Sequence, residues 1–254
     1  MTLHFSCTQC GRCCHDLRLS LSAEEAAVWT GNGHTVQILS EALPVLPSAS
    51  GGAGEDDFNL GRSFAARSGG MPIRIAATLV AYHVGACPHL LPDMRCGNYA
   101  ARPRICRIYP LDRLPGIRFD ARAKVCPPEA WLESHPLLMS GERIAEDEAA
   151  LVLAAHRETA RREVPLMEAL CRKLGISAAA FANEGLAVHT PEPATLHSAL
   201  RELAAGFAPP EGLANWTILT NRAPTLAMLT EAGCDAGIVT RGAGYLGSFA
   251  DEPV

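Results

Sequence analysis

A chain of 254 residues, 48% hydrophobic and 19% charged, is long enough for one domain with an appended region and excludes a disordered or fibrous protein. Its net charge of -5 argues against general affinity for nucleic acid or an anionic membrane, and no run approaches the roughly 18 consecutive apolar residues of a spanning helix. The opening residues, MTLHFSCTQC, lack the basic and apolar regions of a secretory leader, so the expected compartment is the cytoplasm, where ten cysteines point to metal or redox chemistry rather than disulfides.

The first element is a loop in which Cys7, Cys10, Cys13 and Cys14 stand within eight residues. The spacing Cys7-x2-Cys10-Gly11-x-Cys13-Cys14 can aim three thiolates at one centre, with Gly11 permitting a tight turn that faces backbone N–H groups toward sulfur. Core packing has no reason to prefer sulfur at that spacing, and its two-residue spacing is common to zinc knuckles and iron–sulfur loops. Ser22-Ala23-Glu24-Glu25 is a capping-box pattern and predicts a short helix through Trp29. Residues 48–57, SASGGAGEDD, read as a polar glycine-rich loop, and Ile73 to His83 form an apolar, partly β-branched run. Pro92-Asp93 predicts a small hairpin that carries Cys87 and Cys96.

Cys106 and Cys126 follow, giving a second and more widely spaced group with Cys87 and Cys96. Eight thiols suffice for one four-thiolate site with spare ligands or for two such sites. His15 and His89, and more remotely His4 and His83, are candidates to replace a sulfur in a mixed site. Residues 95–124 also hold eight cations, Arg95, Arg102, Arg104, Arg107, Arg113, Arg118, Arg122 and Lys124, against Asp112 and Asp120, a local +6.

Pro127-Pro128 and His135-Pro136 mark an expected boundary, with a cysteine-cluster domain over residues 1–134 and a mainly helical region over 135–254. The expected fold class is therefore α+β: a small irregular metal-binding domain followed by helices. Glu142 to Leu174 reads as a helix interrupted at Pro165, with further helices at 177–185, 192–206 and 223–232 and short strands at Trp216 to Thr220 and Gly237 to Thr240. Cys171 shares a helical face with Met167 and Leu174 and is expected in the core, and Cys234 has no thiol partner nearby in sequence. Gly242-x-Gly244-x2-Gly247 matches a dinucleotide-loop pattern, but too few residues follow it for the helix that would hold a pyrophosphate, so a flexible tail is expected.

The run FxCxxCGxCC, a later CPxL, and then C-x2-Y-x2-RP-x2-CR-x-YPL with a final Cys resemble the YkgJ-type cysteine-cluster proteins, described as a zinc- or iron-chelating domain. The resemblance covers roughly residues 5–126, and it implies that Cys7, Cys10, Cys13, Cys14, Cys87, Cys96, Cys106 and Cys126 are cluster cysteines. The family is also distantly similar to flagellin lysine N-methylase, which implies an iron–sulfur cluster and S-adenosylmethionine as cofactors. Arg102 and Arg107 fall in the RP-x2-CR pattern around Cys106, where a guanidinium can donate to a negatively charged cluster or bind a carboxylate.

Three functions compete at this point. The first is an iron–sulfur protein, 4Fe-4S in type, which if an enzyme is an oxidoreductase. The second is a zinc-binding module that docks a protein partner. The third is an S-adenosylmethionine-dependent N-methyltransferase acting on a protein substrate, and it rests on the resemblance. Thiolate ligands alone do not separate iron from zinc, since both accept four of them tetrahedrally.

Overall fold

The computed structural model describes residues 2–44, 55–111 and 119–252. In chain order the elements are β1 (Thr2–His4), β2 (Arg18–Leu21), α1 (Ala23–Gly31), β3 (Val36–Pro44), α2 (Glu55–Gly61), β4 (Ser63–Ser68), β5 (Met71–Tyr82) and α3 (Arg104–Ile108). They continue with β6 (Leu137–Ser140), β7 (Arg143–Ile144), α4 (Asp147–Arg162), α5 (Val164–Lys173), β8 (Ala178–Phe181), β9 (Gly185–His189), α6 (Pro193–Ala205), β10 (Thr217–Thr220), α7 (Ala223–Glu231), β11 (Ala236–Ile238) and β12 (Tyr245–Gly247). Helices and strands both contribute, as the α+β expectation requires. No helix among the described residues is long and apolar enough to cross a membrane.

Local chemistry accounts for several boundaries. The capping box is formed in full: Glu25 N donates to Ser22 Oγ at 3.2 Å and Ser22 N donates to Glu25 Oε2 at 2.8 Å, starting α1 where expected. Pro165 sits in the first turn of α5, where its missing N–H costs nothing, and Glu163 both ends α4 and begins α5. The expected helical start at Glu142 is displaced, because Gly141 adopts φ +62° in a turn between β6 and β7, and α4 begins at Asp147. Glu146 Oε2 there accepts from Ala149 N at 2.7 Å.

A nine-stranded sheet runs β11-β10-β8-β3-β5-β2, with β4 also on β5, β9 on β3 and β12 on β9. The pairs β10–β11, β10–β8 and β3–β8 are parallel, and the others are antiparallel. Strands β2 to β5 precede residue 134 and β8 to β12 follow it, so one sheet spans the expected boundary. Its main core joins Ala26 and Trp29 of α1, Met167 and Leu170 of α5 and Leu196 and Leu200 of α6 to Ile38, Ile75 and Leu79 of the sheet. Cys171 lies in this core fully buried, as expected.

Two expectations are corrected. Residues 177–185 form β8 and the turn into β9 instead of a helix: alanine favours helix locally, but pairing with β3 and β10 overrides so short a run, and Asn183 turns the chain at φ +68°. The glycine-rich end is no flexible tail. Tyr245 is 2% exposed, β12 pairs with β9, and a Cβ on Gly247 would lie 2.8 Å from Arg241 Cγ, so that glycine serves close packing. Of the expected loop at 48–57, residues through 54 lie outside the described residues, and Glu55 to Asp57 open α2.

A separate small sheet, β1-β6-β7, and a second core of Ile108, Leu111, Leu138, Met139, Ala149 and Leu153 tie α3 to α4. Phe5 stacks against Trp131 at 4.9 Å beside this core. It is the platform from which the cysteine loops extend.

Candidate metal centre

The first cysteine loop leaves β1 anchored at both ends. Phe5 N donates to Pro136 O and Ser6 N to Ala130 O, each at 3.0 Å, and at the far end Cys87 N donates to Cys14 O at 2.8 Å. Between them Gly11 takes φ +71°, and Cys14 N closes the turn onto Gly11 O at 2.9 Å. A Cβ on Gly11 would lie 2.6 Å from Met94 O, so the glycine lets this loop press against the hairpin that carries the next thiols. That hairpin appears as expected: Leu90 bridges Cys96, Leu91 N donates to Arg95 O at 2.9 Å, and Gly97 N donates to His89 O at 2.7 Å.

Helix α3 brings Cys106. Its first residue is fixed by Arg104 N donating to Glu25 Oε1 at 2.8 Å, so the capping glutamate of α1 also docks α3. Cys126 arrives between the short 3-10 turns Ala121–Ala123 and Pro128–Trp131, where Val125 N donates to Tyr109 Oη at 3.1 Å.

These excursions meet at one cavity of about 570 Å³. Its wall contains Cys7, Cys10, Cys13, Cys14, Cys87, Cys96, Cys106 and Cys126 together. None of the eight is in a disulfide. Arg12, Arg18, Arg102, Lys124, His15 and His89 also line it, and among the described residues no Asp or Glu does. No three Cys, His, Asp or Glu side chains among the described residues are drawn into a formed metal-binding group. The eight cysteines share one cavity wall.

Electrostatics show what the ring lacks. A hydrogen bond with Cys13 pushes the Cys14 thiol far up, with burial and the neighbouring Cys13, Cys87 and Cys106 adding to it. Burial lifts Cys87, helped by Cys96 and Cys13, and it lifts Cys106 to about 12, where Cys13 and Cys87 add and Arg102 opposes. Cys126 is pushed up to about 11 by burial, with Cys13, Cys10 and Cys7 adding and a hydrogen bond with Tyr109 opposing. Each thiolate thus disfavours the next, the charge problem that a bound cation removes. Soft donors, a shared cavity and this repulsion all fit a thiophilic metal group.

The two arginines part company. Arg102 lines the cavity, stacks 3.6 Å over the Tyr99 ring and donates from Nε to Tyr99 O at 2.9 Å. Arg107, expected beside the cofactor, instead pairs with exposed Glu148 at 2.9 Å, because α3 turns that face toward α4. The local +6 is dispersed in the same way: Arg95 pairs with Asp93 and Arg104 with Glu25, while Arg113 and Arg118 lie outside the described residues. His4 hydrogen-bonds with His135 O at 2.8 Å and His83 with Gly85 O at 3.1 Å, and neither lines the cavity. Cys234 packs beside the main core.

Sequence reasoning missed Trp29, Arg18 and Arg12 in the wall. Trp29 lies edge-on to His89 at 5.2 Å, and His34 is 6.0 Å from the same ring. Burial, reinforced by His34, holds His89 below the ordinary imidazole value. These contacts bring together residues distant in sequence and carry no local signature.

Residues 6–127 match the model of the CxxCxxCC family, described as "putative zinc- or iron-chelating domain". The matched span contains all eight cavity cysteines. No curated protein and no solved structure matches the chain.

Proposed function

Taking as premise that residues 6–127 are a domain of this zinc- or iron-chelating family, we propose that the protein holds an iron–sulfur cluster of the 4Fe-4S type in the cysteine cavity. The observation that carries this reading is the wall itself, eight thiols around about 570 Å³ with cations and, among the described residues, no carboxylate. A structural zinc ion asks four ligands to converge at about 2.3 Å, whereas a multi-atom cluster accepts thiols spaced around a volume. Thiolate-ligated clusters carry net negative charge, which suits the guanidinium of Arg102 beside Cys106. The chain's own part is to supply soft ligands, to shield the group with Trp29 and Phe5, and to set its potential through Arg102. When bound, the cluster would supply one-electron chemistry.

A second reading, a zinc ion in a mixed Cys/His site, draws support from His15 and His89 in the same wall. Anaerobic purification followed by metal and acid-labile sulfide analysis separates the two. Iron with sulfide and a visible absorption that bleaches on reduction is expected. A colourless zinc protein upholds the second reading, and a chain that takes up neither metal overturns both.

A further inference from the structure

The wall holds eight thiols, twice the four that a single 4Fe-4S cluster takes, so one cluster leaves half of the set without a role. The hydrogen bonds of the loops sort the eight into two groups. Cys87 N donates to Cys14 O at 2.8 Å, Leu90 N donates to Cys87 O at 2.9 Å, and Leu90 bridges Cys96, so Cys14, Cys87 and Cys96 sit on one bonded block. From Cys96 the chain reaches Cys106 through turns closed by Ala101 N on Asn98 O at 3.1 Å and Cys106 N on Pro103 O at 3.0 Å.

Cys7 and Cys126 are held elsewhere. Ser6 N donates to Ala130 O and Ala130 N to Pro127 O, each at 3.0 Å, which fixes Cys7 beside the turn that follows Cys126. Cys7 is exposed, whereas the other cysteines of the wall are half-buried. Cys10 and Cys13 follow Cys7 at two-residue spacing. The charge influences show the same division. Beyond the effect of burial, the thiols that raise Cys126 are Cys13, Cys10 and Cys7, and those that raise Cys106 are Cys13, Cys87 and Cys96. Cys13 therefore stands where the groups meet. In two-cluster ferredoxins, three cysteines at this spacing bind one cluster and the next cysteine of the run serves the other. Here the next cysteine is Cys14, which follows with no spacer.

We infer that the cavity holds two 4Fe-4S clusters, an outer one on Cys7, Cys10, Cys13 and Cys126 and an inner one on Cys14, Cys87, Cys96 and Cys106. The inference rests on the iron–sulfur reading and goes beyond it. Arg102 acts on the inner group through Cys106, and Cys7 opens the outer group to solvent, so the chain gives the two clusters different potentials. Helix α3 couples them. Tyr109, three residues after Cys106, accepts at Oη from Val125 N at 3.1 Å, next to Cys126.

Iron and acid-labile sulfide analysis of the full chain, reconstituted anaerobically with excess ferrous iron and sulfide, tests it. About eight of each per folded chain are expected, with about two electrons taken up on titration with dithionite. Cys7→Ser and Cys126→Ser should each halve both contents, leaving a cluster whose potential Arg102→Gln still lowers. Cys106→Ser should lose both clusters, because it loosens α3 and with it the Tyr109 hydroxyl that holds the Cys126 segment. About four iron and four sulfide in the wild-type chain, or complete loss in both outer variants while they stay folded, overturns the two-cluster division and leaves the single-cluster reading standing. Metal without sulfide overturns that reading and this one together.

Discussion

The sheet region and the cysteine layer are built on different physical principles. Around the sheet, Leu170, Leu196 and Ile38 are fully buried in one continuous core, and long strands such as β3 and β5 pair along their lengths. The cysteine layer has a small core around Ile108 and Met139, and its loops are joined by short runs of hydrogen bonds such as Cys87 N to Cys14 O and Asp16 N to Gly85 O. The first region can fold on hydrophobic burial, while the second gathers eight thiols around a cavity where burial and neighbouring thiols disfavour the ionisation of Cys14, Cys87, Cys106 and Cys126. The difference teaches where the metal's binding energy goes: into ordering the loops and leaving the sheet nearly untouched.

Removing the metal is the largest expected perturbation of that contrast. Amide exchange after chelation should show residues 6–16, 83–101 and 119–127 losing protection by several kcal/mol while β3, β5 and α6 keep theirs. Cys106→Ser should reproduce the pattern without chelator, because serine is a poor donor beside thiolates. Uniform protection in both states would make the cysteines packing residues.

A core substitution should do the reverse. Leu170→Ala opens a cavity in a fully buried site and should cost about 2–5 kcal/mol of global stability, read by denaturant unfolding. Metal per folded chain should stay unchanged. A Leu170→Ala chain that folds but loses its metal would show that the two regions are not energetically separate.

Alkaline titration sharpens the contrast within the core. Burial pushes the Cys171 thiol up to about 12 from 9.0, with Glu168 adding to it. Between those values the folded state holds a proton the unfolded chain has released, so stability is whole below pH 9.0 and falls as pH rises toward 12. The slope is at most about 1.4 kcal/mol per pH unit. Cys171→Ala should flatten it in stability measurements across that window, and an unchanged slope would assign the loss to other groups.

The smallest effect separates the two arginines. Arg107→Gln breaks an exposed pair and should alter stability by less than about 0.5 kcal/mol, leaving the cluster's potential unchanged. Arg102→Gln removes a cation from the cavity and should lower the reduction potential in a voltammetric comparison. Equal shifts in both variants would contradict the placement of Arg107.

What was legible in the chain follows the same division. The capping box of α1, the break at Pro165, α6 and α7 were readable because each rests on a local pattern, and the motifs single out the eight cysteines that line one cavity. Strands β8 and β9 were not, since alanine favours helix until β3 and β10 pair with it. The sheet's crossing of residue 134 and the burial of Tyr245 depend on partners far apart in sequence. Arg102 and Arg107 occupy equivalent places in one motif, and only the packing of α3 on α4 tells them apart.

The central claim is that eight thiols enclose a multi-atom metal group. X-ray absorption at the metal edge of the anaerobically purified chain tests it most directly. The account predicts an iron edge, a nearest shell of sulfur alone and clear metal–metal scattering. A zinc edge, a nearest shell containing nitrogen or oxygen, or sulfur neighbours with no metal–metal scattering would contradict it.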